Sequence, residues 1–225
     1  MKSKQAPRLF FFTGLGADER AFVHLNVRNP GQKVYVSWLP PGKNEPLPSY
    51  SRRLATHYGI KEGDVLIGLS FGGFVAVEIN RFIRPAVTIL ISSAATRQDL
   101  PLLYRIAGHL RLDHLLPKWL ISRPGRFKYF LFGLKKPEQR KLFDEIISAA
   151  DPFFTRWAIG QIVRWQNHKR PANLYKINGT ADRILPLRKS TTDFILSGGS
   201  HFLTWEKADE VSLIINRLLS EKISG

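Results

Sequence analysis

The chain contains no cysteine. Disulfides, thiolate nucleophiles and cysteine-ligated zinc are therefore excluded. That absence fits a reducing compartment, and a soluble cytoplasmic protein is the expectation. Long apolar runs are missing as well. No segment approaches the roughly 20 consecutive apolar residues that a membrane-spanning helix requires. The N-terminal stretch MKSKQAPRLFFFTGLGADER is basic and then apolar, but Leu9 to Phe12 is too short for the core of a signal peptide. Acidic residues are scarce: 18 Asp and Glu stand against 34 Lys and Arg, which leaves a net charge of +16. No internal repeat, low-complexity tract or long linker interrupts the chain.

What is present suits one domain. At 225 residues, 44% of them apolar, the chain is long enough to bury a sizeable core. Six short runs read as buried strands: Arg8 to Thr13, Lys33 to Trp38, Asp64 to Leu69, Ala86 to Ser92, Leu174 to Asn178 and Asp193 to Leu196. Most are continuously apolar and not alternating, as expected for a sheet covered on both faces. Helical patterns lie between them, at Ser49 to Tyr58, Gly73 to Arg84 and Lys207 to Leu219. Alternation of this kind predicts an α/β fold, a mostly parallel sheet of about six strands flanked by helices.

One stretch breaks the alternation. From about Thr96 to His168 no strand is predicted, only helical patterns punctuated by Pro101, Pro117, Pro124, Pro137 and Pro152. Asp151-Pro152 has the form of a helix start. Phe154, Trp157, Ala158, Gln161 and Trp165 follow at helical spacing. The expected organisation is a core of residues 1–95 and 169–225 with a helical insertion at 96–168. That insertion is either a lid over a site or a helical layer at the edge of the sheet.

Residues 68–73 read GLSFGG, one serine among glycines where a buried strand turns straight into a helix. Glycines at 68 and 72 remove the side chains that would clash at such a turn. Ser70 is then exposed at the turn, with the backbone N–H of Phe71 beside it at a helix N-terminus. The turn either presents a nucleophile or serves as an ordinary tight turn or phosphate cradle. A nucleophilic serine needs a base, and the base an orienting carboxylate. His24, His57, His109, His114 and His168 read as surface or packing residues. His201 differs, on a loop after a strand and Gly198-Gly199-Ser200, at the sheet edge where ligands bind. Asp182 follows another strand at the same edge; a turn or N-cap aspartate is the other reading. Gly14-Leu15-Gly16 follows the first strand, as a tight turn, a phosphate loop or a source of backbone donors.

With these motifs in place, the chain resembles the α/β-hydrolase superfamily over nearly its whole length. TGLGA, GLSFGG, NGTADRILP and GGSHF occur in the family's order. The resemblance implies Ser70 as nucleophile, His201 as general base and Asp182 as its orienting acid. It implies the N–H groups of Leu15 and Phe71 as the oxyanion hole, and the insertion as a cap. Two departures stand out. Thr13-Gly14 occupies the place of a histidine-glycine pair in many relatives. The chain also begins at the strand before that loop, so a sheet without the two leading strands of larger members is expected.

The expected activity is that of a serine hydrolase cleaving a carboxylic ester or thioester through an acyl-enzyme, with no metal or organic cofactor. Amidase or lyase chemistry on the same three residues stays open. Phe153, Phe154 and Trp157, with Leu15, Phe71 and Trp165, are candidates for an apolar acyl pocket or for core. Between Arg97 and Lys141 there are eleven Lys or Arg and three Asp or Glu, a net of +8. Such a region attracts anionic substrates, for instance an acyl group on acyl carrier protein or coenzyme A, or is simply a solvated face. The competing class is a basic binding protein for nucleic acid or another anionic partner on a hydrolase scaffold, with little or no catalysis. No recognised nucleic-acid motif supports it.

Overall fold

The computed structural model describes residues 6–28, 31–112 and 125–223. The helical expectation for residues 113–124, with Pro117, Pro124 and His114, lies outside them. Six strands form one sheet, all parallel, in the order β2-β1-β3-β4-β5-β6. They are β1 (Leu9–Phe12), β2 (Lys33–Val36), β3 (Val65–Leu69), β4 (Val87–Ile91), β5 (Leu174–Gly179) and β6 (Phe194–Leu196). Each lies within a residue or two of its sequence expectation.

The continuous apolar runs divide between two faces. Phe10, Phe12, Leu66 and Leu90 point into one core cluster, and Leu9, Phe11, Val65, Ile67 and Ile89 into the other. Successive side chains of a strand point to opposite faces, so a strand covered twice must be apolar throughout. Helices α1 (Leu47–His57) and α2 (Phe71–Asn80) cover the first face. A C-terminal helix, Ala208–Ile223, covers the second with Val211, Ile215, Leu218 and Leu219.

Between β4 and β5 the described residues contain no strand. They form α3 (Leu102–His109), α4 (Arg126–Phe132), α5 (Pro137–Ala149) and α6 (Pro152–Val163). Asp151 caps α6 as its sequence predicts, accepting from the Phe153 N–H at 2.9 Å. Trp165 lies two residues beyond the end of that helix. It packs on Phe74 of α2 and donates its indole N–H to buried Glu78 at 2.7 Å. After β6 comes the short helix α7 (Leu203–Glu206), which leads into α8 (Ala208–Ile223).

Candidate active site

The carboxyl ends of β1, β3, β5 and β6 face one edge of the sheet, and the loops that follow them build the site. Ser70 stands between β3 and α2 with φ of 50° and ψ of −119°. A non-glycine residue held there stores about 1–3 kcal/mol of backbone strain. Two bonds hold it in place. The Ser70 N–H donates to the Ile91 carbonyl at 2.9 Å, and the Ser93 hydroxyl donates to the Ser70 carbonyl at 2.7 Å. Helix α2 starts at Phe71, two residues earlier than its apolar pattern suggests, so Gly72 and Gly73 lie in its first turn. A β-carbon on Gly72 would sit 2.2 Å from the Phe12 carbonyl oxygen, and one on Gly73 would sit 2.1 Å from the Ser93 hydroxyl. Glycine is needed here because the helix starts directly against β1 and the loop after β4.

The structure brings the three distant polar residues together. Ser70 Oγ lies 2.9 Å from His201 Nε2, and His201 Nδ1 lies 2.8 Å from Asp182 Oδ2. A carboxylate accepts only, so Nδ1 carries the proton and Nε2 faces the serine as an acceptor. The other carboxylate oxygen of Asp182 accepts from the N–H groups of Ile184 and Leu185, each at 2.9 Å. Asp182 is therefore fixed by its own loop, and both His201 and Asp182 are buried. The Phe132 ring, from α4, meets the imidazole in a T-shaped contact at a centroid distance of 5.3 Å. The other described histidines have different surroundings. His24 packs on Trp205, His57 on Tyr58, His168 faces Gln98, and His109 is exposed.

The loop after β1 lies against the serine. A β-carbon on Gly14 would be 3.6 Å from Ser70 Cβ. The loop is pinned by the Thr13 hydroxyl donating to the Ala17 carbonyl at 2.7 Å and by the Trp38 indole donating to the Gly14 carbonyl at 3.3 Å. Thr13 is thus a loop brace. Gly16 has φ of 64°, and a β-carbon there would meet Ala150 Cβ at 2.4 Å, so the residue after α5 packs directly against this loop.

Ser70 and His201 open into a cavity of about 280 Å³. Its wall is mostly aliphatic and aromatic: Leu15, Phe143, Ile146, Ile159, Ile162 and Phe202 are among the contributors. Here the sequence expectation needs correcting. Phe153, Phe154 and Trp157 do not line this cavity. Phe153 is exposed, on the outer face of α6. Phe154 and Trp157 join Trp38 in packing round Phe71, at centroid distances of 5.9, 6.0 and 5.3 Å. Trp157 also donates to the Glu45 carbonyl at 2.7 Å. Phe71 and Trp165 are core residues as well. The aromatic stripe of α6 supports the turn beneath the serine and leaves the cavity to other aliphatic and aromatic residues of α2, α4, α5, α6 and the core loops. Ser93, Trp38 and Phe132 were not legible as site residues, because their roles rest on contacts between distant segments.

No protein-family model matches the sequence, and no curated protein matches it. Solved structures do match in shape. A thermophilic esterase from Thermogutta terrifontis is 17% identical with a TM-score of 0.69, over 97% of this chain and 91% of that one. A lipase-esterase related protein from Clostridium acetobutylicum is 15% identical with a TM-score of 0.63, over 96% and 95%. The meta-cleavage product hydrolase of Pseudomonas fluorescens is 15% identical with a TM-score of 0.63, over 96% and 92%. Identities this low speak for a shared fold, and the chemistry has to be argued from this chain's own residues.

Proposed function

We propose that this protein, an α/β-hydrolase by fold, is a serine hydrolase that cleaves a carboxylic ester or thioester. The observation that carries this reading is the continuous relay from Ser70 Oγ to His201 at 2.9 Å and from His201 to Asp182 at 2.8 Å. Ser70 Oγ attacks the acyl carbonyl carbon while its proton passes to His201 Nε2. Asp182 stabilises the imidazolium that forms. The negative oxygen is received by the N–H groups of Leu15 and Phe71, the second of them at the N-terminus of α2. The bond from acyl carbon to leaving oxygen or sulfur then breaks, and His201 returns the proton to the departing alcohol or thiol. Water attacks the Ser70 ester, again through His201, and the acid is released.

On this reading residues 96–168 are a cap over a core made of residues 1–95 and 169–225. Its apolar inner wall suits an acyl chain, and its basic residues suit an anionic substrate or an acidic carrier such as acyl carrier protein or coenzyme A. The test is covalent labelling with a fluorophosphonate probe. Labelling that disappears in Ser70→Ala, together with loss of hydrolysis of short acyl esters and thioesters, is the expected result. An unlabelled wild-type protein that binds nucleic acid with a steep salt dependence would instead favour a non-catalytic binder.

A further inference from the structure

Helix α3, Leu102–His109, turns its apolar side outward. Leu102, Leu103, Ile106 and, just past its end, Leu110 are 61%, 70%, 45% and 59% exposed. At 3.6 residues per turn these four share one arc of the helix. Tyr104 and Gly108 stand on the opposite arc, and that arc faces the protein. A β-carbon on Gly108 would lie 2.0 Å from the Val163 carbonyl oxygen, so α3 lies directly against the end of α6. Tyr104 is half-buried, and burial together with the Asp182 charge raises its phenol above the ordinary tyrosine range. In α4, Phe132 meets the His201 ring while Phe127 is 64% exposed. Both helices thus pack beside the site and still present apolar side chains to solvent.

A helix of a globular protein ordinarily buries such a stripe. Apolar residues exposed singly need no explanation, but four on one arc form a patch, and patches mark interactions. The surrounding charge indicates the partner. Between Arg97 and Lys141 eleven Lys or Arg stand against three Asp or Glu. One of those acids, Asp99, is buried and paired with Lys176, so it does not offset the surface charge. Arg111 stands between exposed Leu110 and Leu112, and Arg126 precedes Phe127. Both arginines are exposed, as are Lys135 and Lys136. Leucine and phenylalanine interleaved with basic residues suit the interface of a bilayer, where the apolar side chains enter the headgroup boundary and the cations meet anionic lipid. At eight residues α3 is far too short to span a bilayer, which takes about 20, so it can only lie on one. A second copy of this chain fits poorly, since a two-fold contact would set the basic patch against itself. A nucleic acid would use the charge and leave the leucines unburied.

We propose that the outer face of α3, with Phe127 of α4, docks this protein on the surface of an anionic phospholipid bilayer. This docking does not rest on the serine hydrolase reading, and its test does not use turnover.

Binding of the whole protein is measured by co-sedimentation with two kinds of vesicle, phosphatidylcholine alone and phosphatidylcholine mixed with phosphatidylglycerol. The anionic vesicles should be bound about tenfold tighter or more, because each basic residue near the surface contributes about fivefold. Added salt should erode that preference. Arg111→Gln combined with Arg126→Gln should remove most of it. Leu103→Ser combined with Leu110→Ser should weaken binding to the anionic vesicles by about tenfold with an unchanged melting temperature, since these leucines are buried only on docking. Failure of the wild type to bind anionic vesicles overturns the proposal. Undiminished binding by the folded leucine variant does so too, because charge alone would then suffice. A melting temperature lowered by several degrees in that variant would mean that this chain itself covers the face. A dimer that the leucine substitutions disperse would make the occupant a second copy. Either result also overturns it.

Discussion

Ser200 is tied to Glu206 twice: its backbone N–H and its hydroxyl both donate to Glu206 Oε2, at 2.9 and 2.6 Å. Ser200 immediately precedes His201, so this clamp fixes the loop that carries the imidazole. The same hydroxyl lies 2.9 Å from the Phe132 carbonyl oxygen, and a β-carbon on Gly133 would come within 2.3 Å of Ser200 Cβ. The end of α4 and the His201 loop are thus packed as one unit. Glu206→Ala removes both bonds without touching the substrate cavity. It is expected to lower kcat for a simple acyl ester by up to about a hundredfold, the scale of a 1 Å misplacement. Equal kcat in the variant and the wild type, from steady-state assays, would show that the loop holds itself.

Asp182→Asn tests what the carboxylate does. Oδ1 already accepts from Ile184 and Leu185, and asparagine keeps an oxygen for those bonds. What changes is the group facing His201 Nδ1: an amide donor there would hold the other tautomer, with Nε2 protonated toward Ser70. Turnover should fall by about four orders of magnitude while the melting temperature changes little. A rate within a few-fold of wild type would mean another acid orients the imidazole.

The parts of this protein that could be read from its sequence are those set by local rules. β1, β3 and β4 were legible because a strand covered on both faces is apolar nearly throughout, as LFFF and VLIGL are and as VTILI is apart from Thr88, whose buried hydroxyl accepts from the Asn80 amide. Ser70, Asp182 and His201 were legible as a group because each sits on a glycine-containing turn after a strand, and parallel strands end at one edge. The cavity wall was not legible. Phe154 and Trp157 have the same spacing whether they face a ligand or a core. Only the placement of Trp38 and Phe71 beside them settles it.

Gly72 offers a sharp test of the turn itself. A methyl group there would lie 2.2 Å from the Phe12 carbonyl oxygen and 2.5 Å from its carbon, both backbone atoms of a central strand. Neither can move without disturbing the ladders of β1 with β2 and β3. Gly72→Ala should cost about 1–3 kcal/mol or more, the range for overpacking a core. Urea unfolding would read this directly. Gly59→Ala serves as the comparison: its φ is 58°, but no atom lies within 4 Å of the added carbon, so only backbone strain is expected. Similar losses at the two positions would mean the contact with Phe12 is relieved by small shifts.

Lys176 and Asp99 form a buried pair, 3.3 Å apart, at the base of the insertion. Asp99 also accepts from the Ala95 N–H at 2.8 Å and from the Thr191 hydroxyl at 2.6 Å, so it joins the segment after β4 to the β5–β6 connection. Burial by itself pushes the Asp99 carboxyl up, but the Lys176 ammonium, the Thr191 hydroxyl and the N–H groups of Ala95 and Thr96 outweigh it, and its pKa lies below the ordinary value. A carboxyl lowered on folding stabilises the protein above its unfolded pKa, near ~3.9, and that contribution is lost as pH falls through the lower folded value. Lys176 is pushed down by burial and pulled back by Asp99. Asp99→Asn leaves this ammonium without its counter-charge, which should cost about 3–5 kcal/mol at neutral pH. The loss should shrink in two directions. As pH falls below about 4 and on through the lower folded value, the wild-type carboxyl takes up its proton and the two proteins converge. Toward pH 10 the variant recovers as Lys176, no longer held charged, gives up its proton. Denaturant unfolding from pH 3 to 10 measures the difference. A gap that stays constant across that range would show that Asp99 acts through its hydrogen bonds to Ala95 and Thr191 and not through its charge.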